Sequence, residues 1–281
     1  MNMKMRNKIK GAIYGFAIGD AMGATTEFMT DKQIAKTYGK VTDIIGGGWL
    51  NLQPGEITDD TQMTMCVMSA MMRNPDTPDE FQKYCESNFI HWVNSNPKDI
   101  GGQCLKAIQY IMNGKTVPMD ESALGNGSLM RAMPLALLNL PKLNVTQGRI
   151  THNNRFCSKI IMDYTMLMQG YLNDDSDVVD NAISDYKRDG EYVYLCEPTG
   201  YVLNTFVNSI VWSSKPSFKD AIIFAVNHGG DADTIAAITG SLAGAKFGFD
   251  NIPKNWVKTL NPDVKEYLNK FTNFVFNCLQ I

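Results

Sequence analysis

The chain has 281 residues, 44% hydrophobic and 20% charged, an ordinary globular composition able to bury a core without a disulfide or structural metal. A formal net charge of -3 with no long basic run argues against a dedicated nucleic-acid surface, and no apolar run is long enough to cross a bilayer. Six cysteines, at 66, 85, 104, 157, 196 and 278, form no CxxC or Cys/His zinc pattern and read as free buried thiols of a reducing, cytoplasmic compartment.

In chain order, the first 23 residues set a basic stretch before an apolar one, as a leader peptide does. Asp20 interrupts the apolar stretch, however, and Gly11, Gly15, Gly19 and Gly23 recur at every fourth position. That period belongs to one face of a helix. Each interior glycine costs a helix ~1 kcal/mol relative to alanine, so four in register predict a compensating close approach of backbones. The stretch from Gly46 to Gly55 predicts a long loop of the kind that often carries function.

Thr58-Asp59-Asp60-Thr61 follows, where a turn delivers the chain to a helix running through Met63, Cys66 and Val67. One Asp at a helix start is ordinary capping. Two adjacent carboxylates between threonines exceed what a cap needs, and their repulsion invites a cation. Thr77-Pro78-Asp79-Glu80 predicts a capping box, with Thr77 as N-cap and Glu80 at the third helical position. Residues 173–190 are polar and acidic and predict a surface connection around a short helix. Tyr192 to Cys196 carries the best strand pattern in the chain, cut short by Glu197-Pro198. Ser217 and Asp220 open another helix.

Asn227-His228-Gly229-Gly230-Asp231-Ala232-Asp233-Thr234 is the second acidic cluster, again directly before a helix, one that carries Gly240, Gly244 and Gly248. Asn261-Pro262 opens the last helix, with an apolar stripe through Val264, Tyr267, Leu268, Phe271, Phe274, Val275 and Cys278. Thr58, Asp59, Asp60, Asp231, Asp233 and Thr234 are all hard oxygen donors, a set that selects Mg²⁺ or Mn²⁺ over zinc or copper. Four carboxylates suit two divalent ions, which sit ~4 Å apart in hydrolytic sites. His91, His152 and His228 are isolated, and no nucleophile elbow, P-loop or dinucleotide fingerprint occurs.

Taken as an ordered set, these motifs resemble the ADP-ribosylglycohydrolase family. The resemblance runs from about residue 7 to 249: Gly15 to Gly23 with Glu27 downstream, Gly46-Gly47-Gly48, Pro54 to Thr61, Asp99-Ile100-Gly101, Gly125 to Arg131, Thr151-His152, Gly200-Tyr201-Val202 and Gly229 to Thr234. It implies an all-α orthogonal multi-helix bundle, one domain over 1–281, with a central di-metal cleft holding two Mg²⁺, or Mn²⁺, on the six oxygen donors. It implies Glu27, Asp60 and Asp99 as catalytic carboxylates. Asn126, Gly127, Ser128, Met130, His152, Tyr201 and His228 would bind substrate, the glycine-rich block offering N–H groups to a diphosphate. The implied reaction is hydrolysis of the bond between ADP-ribose and a protein side chain, arginine foremost, with O-linked serine ADP-ribose or small ADP-ribosyl compounds as the alternatives. A non-catalytic member, an ADP-ribose binder or a crystallin-like structural protein, would be expected to have lost metal carboxylates that this chain keeps. Asn204 stands where relatives often carry an acid, and residues 250–281, which match no motif, are expected to be helices completing the bundle.

Overall fold

The computed structural model describes residues 2–187 and 193–281. Among them run fourteen α-helices: α1 Asn2–Gly23, α2 Asp31–Tyr38, α3 Asp59–Met72, α4 Pro78–Asn94, α5 Gly102–Met112, α6 Met133–Leu137, α7 Pro141–Arg149, α8 Arg155–Asn173, α9 Ser176–Ile183, α10 Val202–Ser213, α11 Phe218–Val226, α12 Ala232–Phe247, α13 Lys254–Thr259 and α14 Pro262–Cys278. The described residues hold no sheet, only isolated bridges between Thr30 and Gly229, Gly47 and Leu52, and Gly125 and Tyr201. The strand pattern at 192–196 yields none: residues 193–196 have no regular structure and Tyr192 lies outside the described residues. No described helix is long and apolar enough to cross a membrane.

The α1–α12 pair is the spine of the fold, and the glycine periodicity is its cause. A Cβ on Gly11 would stand 2.4 Å from the Gly244 carbonyl oxygen, on Gly15 2.2 Å from that of Gly240, on Gly19 2.0 Å from that of Ala236, and on Gly23 2.4 Å from that of Ala232. The partners descend as the glycines ascend, so the helices are antiparallel and touch backbone to backbone over four turns. Both are buried nearly all round, and α10, α11, α8 and α14 pack about them. Gly248 differs from the other stripe residues: at φ 84° it ends α12 rather than packing within it.

Local capping follows the sequence with one departure. Thr77 accepts the Glu80 N–H (3.2 Å), but the Glu80 carboxylate reaches past Thr77 to the Asp76 N–H (2.9 Å), so the box is displaced by one residue. Ser217 accepts the Asp220 N–H at 3.0 Å and Asn261 caps α14, as expected. On α14, Val264, Leu268, Phe271 and Val275 are buried, whereas Cys278 at its end is exposed. All six cysteines are free.

Candidate active site

The antiparallel spine brings the C-terminal end of α1 to the N-terminal end of α12, and with it the two acidic clusters. Asp20, fully buried on the last turn of α1, accepts the backbone N–H groups of Thr58 (3.1 Å) and Thr61 (3.1 Å). It thereby caps α3 from a distance, anchoring the helix that carries Asp59 and Asp60. The Thr58 hydroxyl caps the same helix locally through the Asp60 N–H at 3.3 Å. The clusters meet at Thr234, whose hydroxyl lies 3.2 Å from Asp60 Oδ2 and 3.3 Å from Asp231 Oδ1.

Two loops close the site from the other side. The Phe28 N–H donates to the Gly230 carbonyl (2.7 Å) and the Gly230 N–H to that of Met29 (2.8 Å), tying the segment after Glu27 to the Asp231 loop. Gly230 is obligatory there, since a Cβ would stand 1.9 Å from the Pro198 carbonyl oxygen at φ 64°. The Asn126 side-chain amide donates to Asp231 and to the Thr205 hydroxyl (2.9 Å), while its backbone N–H donates to the Gly200 carbonyl (2.9 Å). The backbone N–H of Asn126 is therefore occupied within the protein and not presented to a diphosphate.

The resulting cleft, ≈ 440 Å³, is lined by the acids Glu27, Asp59, Asp60, Asp99, Asp231 and Asp233, with Thr234, Asn126, Gly127, Met130 and His152. Its size is that of a small-molecule site. A larger groove of ≈ 630 Å³ flanks α3 beside Trp92 and Tyr267 but contains none of these acids. Burial pushes the cleft carboxyls above their ordinary range, Glu27 to about 8, Asp59 to about 7, Asp20 and Asp231 to about 6, and Asp60 and Asp233 well up. Neighbouring carboxylates add to the effect at Glu27, Asp59, Asp60 and Asp233. Among the described residues no lysine or arginine forms an ion pair with any of them.

Three features of this cluster fit a divalent cation. Its donors are all oxygen. Asp60 Oδ1 is buried without a hydrogen-bond partner, a position that ordinarily requires an ion or water. Oxygens of Glu27, Asp231 and Asp233 lie within 4.8 Å of one another, close enough to share an ion. That trio includes Glu27, which the family resemblance casts as a catalytic rather than a ligating residue.

Three expected substrate residues do not line the cleft. Ser128 is fully buried beneath it. The Tyr201 ring stacks on Phe156 (centroids 6.4 Å), leaving only its backbone bridge to Gly125 near the site. His228 packs edge-on against Trp212 at 5.5 Å, because the turn at Gly229-Gly230 separates it from Asp231. His152 does line the cleft and supports the glycine block from below, its Nε2 3.0 Å from where a Gly125 Cβ would stand. Burial, with Arg131 adding, lowers its pKa to about 3, so its ring is neutral.

Sequence reasoning missed two residues. Asp20 was visible as an acid interrupting an apolar run and as part of the Gly15 to Gly23 block, but without a role. Arg131 is fully buried and donates to the Gly127 carbonyl, the Gln147 carbonyl (3.0 Å), Gln147 Oε1 (3.0 Å) and the Thr151 hydroxyl (2.9 Å), with its guanidinium 4.9 Å from the Phe89 ring centroid. It sets the glycine block in place using neutral acceptors, a role with no sequence signature.

Fold and site together define a helical protein whose elements converge on a buried, oxygen-rich acidic cleft. The family model described as ADP-ribosylglycohydrolase matches residues 1–278, and the chain belongs to that family of enzymes. The match takes in α13 and all of α14, beyond the motifs that end near residue 249. The chain is 33% identical over 280 residues to the ADP-ribosyl dinitrogen reductase glycohydrolase of Rhodospirillum rubrum, covering 95% of this chain and 94% of that one. It is 30% identical over 285 residues to the ADP-ribosylarginine hydrolase Tri1 of Pseudomonas putida, covering 90% and 74%. A solved structure titled ADP-ribosylglycohydrolase-related protein complex superposes with a TM-score of 0.83 at 25% identity, covering 98% of this chain and 99% of that one.

Proposed function

We propose that the protein hydrolyses the bond joining ADP-ribose to an arginine side chain, with Mg²⁺ or Mn²⁺ in the acidic cleft. The observation that carries this reading is the meeting of the two oxygen clusters at Thr234, beside the unpartnered Asp60 Oδ1. The names of relatives that act on ADP-ribosylarginine support the linkage. Thr58, Asp59, Asp60, Asp231, Asp233 and Thr234 would hold two ions, with Glu27 at their edge. Bound ions of this kind fix hydroxyl groups and lower the pKa of water.

The chain's own residues do the rest. Breaking a glycosidic bond develops positive charge at the anomeric carbon, which the flanking carboxylates favour. Glu27 and the half-buried Asp99 line the cleft wall, where either can hold or pass a proton to the departing guanidine. His152 stays neutral and serves to shape the floor. The free thiols fit a reducing compartment such as the cytoplasm.

Release of ADP-ribose from an ADP-ribosylarginine protein tests the proposal. Turnover should require a divalent ion, stop in EDTA and return with Mg²⁺ or Mn²⁺. Full turnover in EDTA, or none from ADP-ribosylarginine alongside rapid turnover of ADP-ribosylserine, would refute the metal or the linkage respectively.

A further inference from the structure

We infer that Trp49 and Phe28 form the subsite for the guanidinium of the arginine that leaves. The inference rests on the arginine reading above and adds the residues that select it. Both rings line the cleft, and both are exposed, Trp49 by 51% and Phe28 by 67%. Their centroids are 5.5 Å apart with planes tilted at 47°, an open pair of faces rather than a closed stack. The other three tryptophans, Trp92, Trp212 and Trp256, are buried.

The chain holds this pair at the mouth against its ordinary preferences. Phe28 has φ 61°, a left-handed conformation that a bulky aromatic residue rarely adopts. The two backbone hydrogen bonds to the Gly230 loop fix it there. Strained backbone of this kind, over-determined by its surroundings, concentrates at ligand clamps. The Trp49 indole N–H donates to Glu27 Oε2 at 2.6 Å, so the rings are joined to the carboxylate whose oxygens lie beside those of Asp231 and Asp233. This places the rings at the reacting end of the cleft.

A planar cation suits this place. Aromatic faces attract guanidinium by both cation–π and stacking contact, and the acids within the cleft reinforce the attraction. A departing serine is neutral and lacks a planar π-face, so the same rings give it little. Trp49 is thus a positioning residue for Glu27 and, with Phe28, a specificity determinant.

The test compares Phe28→Leu, Trp49→Phe and Trp49→Leu with the wild type in three measurements. The first is kcat/KM for ADP-ribosylarginine against ADP-ribosylserine. The second is the affinity for free ADP-ribose. The third is acrylamide quenching of tryptophan emission, with and without agmatine, in the Mg²⁺-loaded protein, Trp49 being the one half-exposed tryptophan. Phe28→Leu and Trp49→Leu should each lower the arginine-to-serine ratio about tenfold and leave ADP-ribose affinity unchanged. Trp49→Phe should keep the ratio while lowering kcat for both linkages, because it retains a ring but loses the N–H that holds Glu27. Agmatine should protect Trp49 from acrylamide in the wild type. An unchanged ratio in both leucine variants would overturn the proposal, and so would a matching loss of ADP-ribose affinity, which would make the rings an adenine platform. Should no linkage be hydrolysed, the function reading fails, while agmatine protection still decides the subsite.

Discussion

Gly19→Ala should lower the melting temperature by about 6–12 °C, the equivalent of about 3 kcal/mol in a protein of this size. The added Cβ would stand 2.0 Å from the Ala236 carbonyl oxygen, 2.3 Å from its carbonyl carbon and 2.7 Å from the Ala237 nitrogen. All three are helix backbone, so no side chain can turn aside and α1 must move away from α12. Overpacking a rigid contact costs about 1–3 kcal/mol, and a backbone-to-backbone collision belongs at the upper end. Activity should fall further than stability, because separation of the helices also displaces Asp20 and so the cap it gives α3. Gly102→Ala is the control: nothing lies within 4 Å of its Cβ, at the first position of α5, and the change should be neutral or stabilising by up to about 1 kcal/mol. Thermal unfolding by circular dichroism measures both. Equal melting temperatures for the two variants would contradict the packing argument.

Asp60→Asn should reduce kcat/KM about a thousandfold at saturating Mg²⁺, beyond the 10–100-fold expected when only an outer partner of a ligand is lost. Its amide preserves shape but removes one negative charge and one oxygen at the junction of the clusters. Stability should move the opposite way. A carboxyl whose pKa is raised on folding binds its proton more tightly in the folded state, so its contribution is complete below the unfolded value of 3.8 and is lost as pH rises through the folded value. With Glu27, Asp59 and Asp231 raised to about 8, about 7 and about 6, metal-free wild type should therefore lose stability as pH rises from about 4 to about 8, and Asp60→Asn should lose less. In EDTA at pH 8 the inactive variant should melt higher than the wild type. A variant that is both inactive and less stable under those conditions would point to a structural role for Asp60 instead.

What the sequence made legible follows from cost. Glycines at 11, 15, 19 and 23 weaken a helix, so their register announced a close contact, and α12 supplies it through Gly244, Gly240, Ala236 and Ala232. The acidic pairs were legible because they exceed the needs of a helix cap. Their meeting was not, since it depends on the antiparallel pairing of elements some two hundred positions apart. Neighbourhood in sequence misled at His228 and Tyr201, where a turn and a ring stack carry the side chains away from residues adjacent to them. The roles of Asp20 and Arg131 were hidden because each satisfies backbone groups of other segments, which leave no pattern in the chain.

The central claim is that two clusters, carried by α3 and α12, jointly hold divalent cations for glycohydrolysis. A crystal soaked in Mn²⁺ and measured for anomalous scattering tests it most directly. The account predicts two peaks ~4 Å apart between Thr58-Asp59-Asp60 and Asp231-Ala232-Asp233-Thr234. An empty cleft at saturating Mn²⁺, or peaks confined to other carboxylates, would contradict it.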